Sequence, residues 1–180
     1  MNRNQGRVVG EILASTTKTG QRSNSEYDIN LTLGKSGVIN GSVRLGHYEN
    51  VAAVQFLRIG TPALRRHGLG TRLMQAFVAQ SVDMGAVELQ SNCVSQDALY
   101  MRAKLFGTHL LEFYDDETGC TLPIDFEQAL LITEDIDNRH THIEDYKTWG
   151  EHLGVSVDLS LIDVSGWERP RITTNEIELR

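Results

Sequence analysis

Hydrophobic and polar residues alternate through three stretches in the first third of the chain, and short turn-forming sequences separate them. The stretches are YDINLTLG from Tyr27, KSGVINGSVRLGHYE from Lys35 and NVAAVQFLRIG from Asn50. A period of two residues places successive side chains on opposite faces of a strand, so these stretches predict an antiparallel sheet. Residues 7–14 predict an earlier strand, and we expect the polar segment 15–26 to be a loop.

The period becomes helical after Gly70. Apolar residues then recur three or four positions apart, which predicts a helix with one buried face: Leu73, Met74, Phe77, Val78 and Val82. Gly85 is a typical helix stop because glycine readily adopts the left-handed conformation that ends helices. Beyond it we predict a short strand at 86–91 and a second helix at 97–107, capped by Ser95 or Asp97.

The last part of the chain has a less regular pattern. Residues 108–115 predict a strand, 125–132 fit either a helix or a strand, and 155–164 and 172–180 predict further strands. The polar segment 135–154 predicts a connection that contains helix. The expected fold is α/β (α+β), with a mixed, mostly antiparallel sheet flanked by helices. We assign 1–125 to the main domain and 126–180 to a C-terminal extension packed on it or continuing it.

Composition narrows the class of protein. A chain of 180 residues, 40% of them hydrophobic, can bury one core. The formal net charge of -7 argues against a general nucleic-acid binder. Cys93 and Cys120 stand in no metal-binding spacing, and there is no apolar run long enough for a secretory signal or a membrane helix. We therefore expect a cytoplasmic protein that binds neither nucleic acid nor membrane.

Two arginines and a histidine run into Gly68-Leu69-Gly70 at the start of the first predicted helix. A helix N-terminus exposes unpaired N–H groups and a partial positive charge, and glycine lets the backbone approach a phosphate closely. A Walker loop would continue with Lys-Ser/Thr, but Thr71 follows Gly70. A dinucleotide fingerprint would have a third glycine where Leu73 stands. The stretch thus predicts a phosphate site of another type.

The hexapeptide at 65–70 resembles Arg/Gln-x-x-Gly-x-Gly/Ala, the pyrophosphate loop of the GNAT superfamily of N-acetyltransferases. DALYMRAKLFG at 97–107 is similar to the second signature of that family, and the resemblance covers residues 51–114. It implies that backbone N–H groups at 66–71 bind the pyrophosphate of acetyl-coenzyme A. The residues it implies for binding this co-substrate are Leu57, Ile59, Arg65, Arg66, His67, Gly68, Leu69, Gly70, Thr71 and Asn92.

The resemblance also implies a catalytic arrangement. The strand at 55–60 would diverge from the one at 86–91, and a backbone N–H near Leu57 or Ile59 would stabilise the oxyanion formed from the thioester. Tyr100 aligns with the tyrosine that protonates the leaving thiolate, and the pKa of a tyrosine, about 10, suits that acid. Glu88 is a candidate general base, although a carboxylate that meets only solvent is the preferred interpretation.

Two departures from the family leave alternatives open. LRIGTP is one residue longer than the usual Leu-x-Val-x-Pro, so Leu57, Arg58 and Ile59 are all candidates to face the thioester. A short polar loop also replaces the two helices that usually form one wall of the acceptor pocket. Either the pocket is open, or a partner or the C-terminal extension supplies that wall.

The predicted function is transfer of an acetyl group from acetyl-coenzyme A to a primary amine of a small molecule or a protein. The alternative is a non-catalytic module of the same fold that senses acyl-coenzyme A or binds a protein. The extension is a candidate homodimer contact. A metal is not expected, although His-x-His at 140–142, with Glu144 and His152, is a weaker candidate site.

Overall fold

The alternating segments near the start of the chain form an antiparallel meander. The computed structural model describes residues 10–19, 25–47, 49–60, 67–92, 95–138 and 153–173. Its first four strands are β1 (Ile12–Lys18), β2 (Ser25–Leu33), β3 (Gly37–Leu45) and β4 (Asn50–Ile59). Each pairs antiparallel with the one before it, as the alternation predicts.

Three helices and four further strands complete the described part of the chain. They are α1 (Leu69–Met84), β5 (Glu88–Asn92), α2 (Gln96–Phe106), β6 (Glu112–Asp115), α3 (Phe126–Asn138), β7 (Leu153–Asp158) and β8 (Arg171–Ile172). The strands form one sheet in the order β6-β7-β5-β4-β3-β2-β1-β8. Within it, β4 and β5 are parallel, as are β1 and β8, and the other neighbours are antiparallel. The predicted mixed, mostly antiparallel fold is confirmed.

Helix α1 packs on the sheet because its apolar stripe faces β2, β3 and β4. Leu73, Met74 and Phe77 are fully buried there, and burying each contributes about 1.5–3 kcal/mol. Phe77 lies over Gly41 of β3, where any side chain would collide with the ring. The helix ends at Gly85, whose φ of 106° lets its N–H reach carbonyls of the last turn. The predicted helix stop is therefore confirmed.

The loop expected from Ser15 begins later than predicted. Strand β1 continues to Lys18, and Thr16 and Thr17 pair with residues of β2. Threonine is β-branched, which suits it to extended backbone, and a paired neighbouring strand outweighs the polar character of this stretch. The prediction was wrong for residues 15–18 and also for residues 25–26, which begin β2, and residues 20–24 lie outside the described part of the chain.

Predictions for the later elements were correct in part. The strand expected from residue 108 begins only at Glu112, after a short 3-10 helix. The segment at 125–132 is helical from Phe126. The strand expected at 155–164 ends at Asp158, because the Asp158 carboxylate accepts hydrogen bonds from the N–H and hydroxyl of Ser160 and closes a turn. Most of the strand expected at 172–180 lies outside the described residues.

Residues 159–173 lead from the end of β7 to β8 and are attached to α1 at two places. Two arginine–carboxylate pairs attach them, Arg72 with Glu168 and Arg169 with Asp83, each with two N–H donors on one carboxylate. The ring of Trp167 also packs against the ring of Phe106 at the end of α2. This segment is therefore attached to α1, the helix whose first turn carries the predicted phosphate site. None of the helices in the described ranges is long and apolar enough to span a bilayer.

Candidate functional site

Strands β4 and β5 separate halfway along β4. Val51–Val54 pair with Glu88–Ser91, but β4 continues to Ile59 with β3 as its partner on one side only. At the separation Gln55 is an extra residue, since Val54 pairs with Gly41 while Phe56 pairs with Asn40. Such a bulge bends a strand locally. Alternate backbone N–H and C=O groups of residues 56–59 point away from β3 and have no strand partner in the described part of the sheet.

A cleft of about 790 Å³ lies where these two strands diverge. Three elements form it besides the end of β5: the second half of β4, the start of α1 and one side of α2. Its lining residues include Gln55, Phe56, Leu57, Arg58 and Ile59 from β4, Gly68, Gly70 and Thr71 from the first turn of α1, Asn92 from β5, and Asp97, Tyr100, Met101, Arg102 and Lys104 from α2. The cleft joins the unpaired half of a strand to the amino end of a helix.

No side chain of the described residues caps the amino end of α1. Gly68 precedes the helix with a φ of 79°, a conformation that glycine adopts without strain. The first turn contains no acidic residue, and within the described ranges the N–H groups of Leu69, Gly70 and Thr71 have no acceptor. Free amides and the helix dipole make such an end a binding site for an anion.

Glycine suits position 70 because little space is left there for a side chain. A Cβ there would lie 3.3 Å from Cδ2 of Leu57 and 3.7 Å from the sulfur of Met101. The first turn of α1 is thus packed closely between β4 and α2. The free amides of this turn therefore lie in the cleft beside Leu57 and Met101.

The charge of the cleft is opposite to that of the chain. Its described lining contains three cationic side chains, Arg58, Arg102 and Lys104, and one carboxylate, Asp97. The whole chain carries a formal net charge of -7. A local positive field in an acidic protein attracts an anionic ligand to this place in particular.

Arg102 is a functional candidate that the sequence analysis missed. It is 4% exposed, and its guanidinium donates to Ser91 Oγ at 2.8 Å, to the carbonyl of Ala98 at 2.9 Å and to the carbonyl of Asn92 at 3.3 Å. In the described part of the chain no carboxylate lies within ion-pair distance of it. The available signal was its place on the apolar stripe of α2 with Leu99.

The structure brings together seven of the predicted site residues. The residues in this set line one cleft: Leu57, Ile59, Gly68, Gly70, Thr71, Asn92 and Tyr100. His67 and Leu69 belong to the same turn without lining the cleft. Arg65 and Arg66, like His140, His142, Glu144 and His152, lie outside the described residues. Of the three residues that were left open on β4, Leu57 and Ile59 pack against the core, whereas Arg58 is exposed.

Tyr100 projects from the rim of the cleft. The residue is 53% exposed, and its ring meets the ring of Phe126 on α3 edge-on, with centroids 6.0 Å apart. Within the described part of the chain, its hydroxyl has no hydrogen-bond partner. The aromatic contact fixes the ring and leaves the hydroxyl available to a ligand.

Glu88 does not line the cleft. Its Oε1 accepts hydrogen bonds from Gln90 Nε2 at 2.9 Å and from Ser156 Oγ at 2.8 Å. Both donors stand on the sheet, one on β5 itself and one on β7, so the carboxylate is held by its neighbours there.

Comparison of the sequence with models of known protein families gives no match, and comparison with curated proteins gives no significant match either. The geometry of the cleft is therefore the basis for a functional conclusion.

Proposed function

We propose that the cleft binds acetyl-coenzyme A and that the protein transfers the acetyl group to a primary amine of a small molecule or a protein. One observation carries the proposal: a single cleft connects the uncapped amino end of α1 with the unpaired half of β4. Coenzyme A carries a diphosphate near one end and a thiol at the other. It can therefore occupy both features at once.

The diphosphate fits the amino end of α1. The N–H groups of Gly70 and Thr71 supply donors, and the absence of an acidic residue from the first turn leaves the helix dipole uncompensated. Lys104 on α2 and Arg58 on β4 line the same cleft and add positive charge. Gly68 and Gly70 permit the close approach that a phosphate needs.

The thioester fits the unpaired half of β4. A backbone N–H that points away from β3 can donate to the thioester carbonyl and stabilise the oxyanion as it forms. The amine nitrogen attacks the carbonyl carbon, the C–N bond forms, and the C–S bond breaks with its electron pair on sulfur. Tyr100 donates its hydroxyl proton to that sulfur and regains one from the new ammonium through solvent. The role of Glu88 as general base stays a prediction. Glu88 does not line the cleft, and water can also accept the amine proton.

A matched pair of substitutions at Gly70 tests the binding mode. Gly70→Asp and Gly70→Asn add side chains of equal size to the first turn of α1, but only aspartate adds negative charge. Aspartate in a first turn stabilises a helix by about 0.3–1 kcal/mol, so we expect Gly70→Asp to unfold at a temperature at or above that of Gly70→Asn. We expect its affinity for coenzyme A, measured by isothermal titration calorimetry, to be about 100-fold lower than that of Gly70→Asn, because the added carboxylate repels the diphosphate.

Equal affinities of the two Gly70 variants would show that the diphosphate lies elsewhere. Turnover is followed separately, as release of free thiol from acetyl-coenzyme A in the presence of a panel of amines. Binding without thiol release would favour the sensing module over the transferase.

A further inference from the structure

Arg102 is a buried cation that the proposed reaction does not yet use. Placing a guanidinium in the interior is costly unless an anion or several acceptors compensate it. Here three neutral oxygens accept from it, those of Ser91, Ala98 and Asn92, and the described residues provide no carboxylate partner. Three acceptors satisfy three of the five N–H groups of an arginine. Among the described residues, the positive charge therefore has no negative partner.

The position of this charge is specific. Ser91 is the last residue of β5 that pairs with β4, and its partner is Val54, next to the bulge. By bonding Ser91 and the carbonyl of Asn92, Arg102 is held at the point where the two strands begin to separate. It also lines the cleft. The part of the cleft where the two strands separate therefore carries a fixed cation, while the amino end of α1 lines another part of it.

We propose that Arg102 is a further catalytic residue that lies beside the thioester sulfur and stabilises the thiolate as the C–S bond breaks. The inference rests on the proposed function, which assigns the diphosphate to the amino end of α1 and the thioester to the unpaired half of β4. Breaking the bond leaves an electron pair on sulfur, and a desolvated cation stabilises that charge strongly. Tyr100 then delivers the proton. The two side chains have separate tasks, charge stabilisation for Arg102 and proton transfer for Tyr100.

A comparison of two ligands isolates the sulfur. Coenzyme A and desulfo-coenzyme A, in which hydrogen replaces the thiol, are titrated calorimetrically into the full chain and into Arg102→Met at alkaline pH. We expect the wild-type protein to bind coenzyme A about tenfold more tightly than the desulfo ligand, because a neighbouring cation favours the thiolate. In Arg102→Met the two affinities should be equal, and desulfo-coenzyme A should bind as it does to the wild-type protein.

The outcomes separate three conclusions. If the ratio of the affinities for coenzyme A and desulfo-coenzyme A is the same in the wild-type protein and in Arg102→Met, the role of Arg102 is overturned and the proposed function stands. Failure of the wild-type protein to bind either ligand overturns both proposals. If Arg102→Met instead abolishes a preference for succinyl- over butyryl-coenzyme A and leaves the sulfur ratio unchanged, Arg102 binds a carboxylate of the acyl group and the thiolate assignment is wrong.

A measurement on the wild-type protein covers the case in which Arg102→Met does not fold. The thiolate absorbance of bound coenzyme A is titrated with pH and compared with that of the free ligand. Among the described residues, the charged groups that line the site are Arg102, Lys104 and Asp97 on α2 and Arg58 on β4, so their combined charge is positive. We expect the pKa of the bound thiol to be lower than that of the free thiol, and an equal or higher value overturns the proposal.

Discussion

The two halves of β4 differ in their partners and in their exposure. Residues 50–54 pair with β3 on one side, and from Val51 also with β5 on the other, and Val51, Ala52 and Val54 are buried. In the described part of the sheet, residues 55–59 pair with β3 alone from Phe56 onward, and Phe56 is 47% exposed. The first half belongs to the scaffold and the second half forms one wall of the cleft.

The difference arises because two parallel strands have unequal lengths. Strand β5 ends at Asn92, and the chain turns into α2, whose amino end is capped by Ser95. Strand β4 continues to Ile59. Backbone groups left without a strand partner are costly unless water or a ligand satisfies them. An internal edge of this kind is a place where the polar groups of a ligand can be recognised.

Substitution of Gly41 should destabilise the scaffold around the half of β4 that pairs with both β3 and β5. A Cβ at Gly41 would collide with the carbonyl of Ala53 and with the ring of Phe77. We expect Gly41→Ala to lower the free energy of unfolding by about 3 kcal/mol, the upper range for overpacked cores, as measured by urea denaturation. Gly166→Ala is the control, since no atom lies within 4 Å of a Cβ there. Equal stability of the two variants would contradict the packing described for the scaffold.

Substitution of Tyr100 should affect only the reaction that we propose at the unpaired half of β4. We expect Tyr100→Phe to lower kcat about 100-fold, as is usual for loss of a general acid. Binding of coenzyme A should be unchanged, because the ring and its contact with Phe126 are retained. Tyr27→Phe, on β2 away from the cleft, is the control and should keep full turnover. Unchanged turnover in Tyr100→Phe would remove this residue from the mechanism.

The smallest effect on stability is expected from the ion pair between Arg72 and Glu168, which attaches residues 159–173 to α1. The Arg72 guanidinium, at 2.6 and 2.7 Å, lowers the pKa of the Glu168 carboxyl below its ordinary value of 4.5, chiefly by hydrogen bonding. The Glu168 side chain is 38% exposed, so solvent limits the pair to about 1 kcal/mol or less.

A lowered carboxyl pKa stabilises the fold above pH 4.5, and this contribution is lost as the pH falls through the pKa of the folded state. Thermal unfolding should therefore show wild-type protein more stable than Glu168→Gln near neutral pH, with the difference shrinking in acid. Glu112→Gln on β6 is a control in which no such difference is expected. A difference between wild type and Glu168→Gln that persists at low pH would contradict this explanation.

Local signals in the sequence predicted the elements that border the cleft. Gly68 and Gly85 mark the two ends of α1, and Ser95 caps α2, because capping depends on one or two residues. The separation of β4 from β5 was expected from the family resemblance alone. Pairing over long sequence distances was not foreseen, as in the insertion of β7 between β5 and β6.

Arg102 shows why part of the site could not be predicted. Its spacing places it on the stripe that Leu99 and Phe106 bury, but helical periodicity does not show whether a charged side chain on that stripe finds a carboxylate. That depends on β5, whose end meets α2 only in the folded chain. The structure shows acceptors and no anion there among the described residues.

The most direct test of the account follows the backbone amides of α1 by NMR while coenzyme A is added to the nitrogen-15-labelled protein. We predict saturable shifts of the Gly70 and Thr71 amide signals, while the signal of the Gly85 amide at the other end of the helix, which is already bonded to carbonyls, does not move. Saturable binding that leaves Gly70 and Thr71 unmoved would contradict the claim that the amino end of α1 holds the diphosphate.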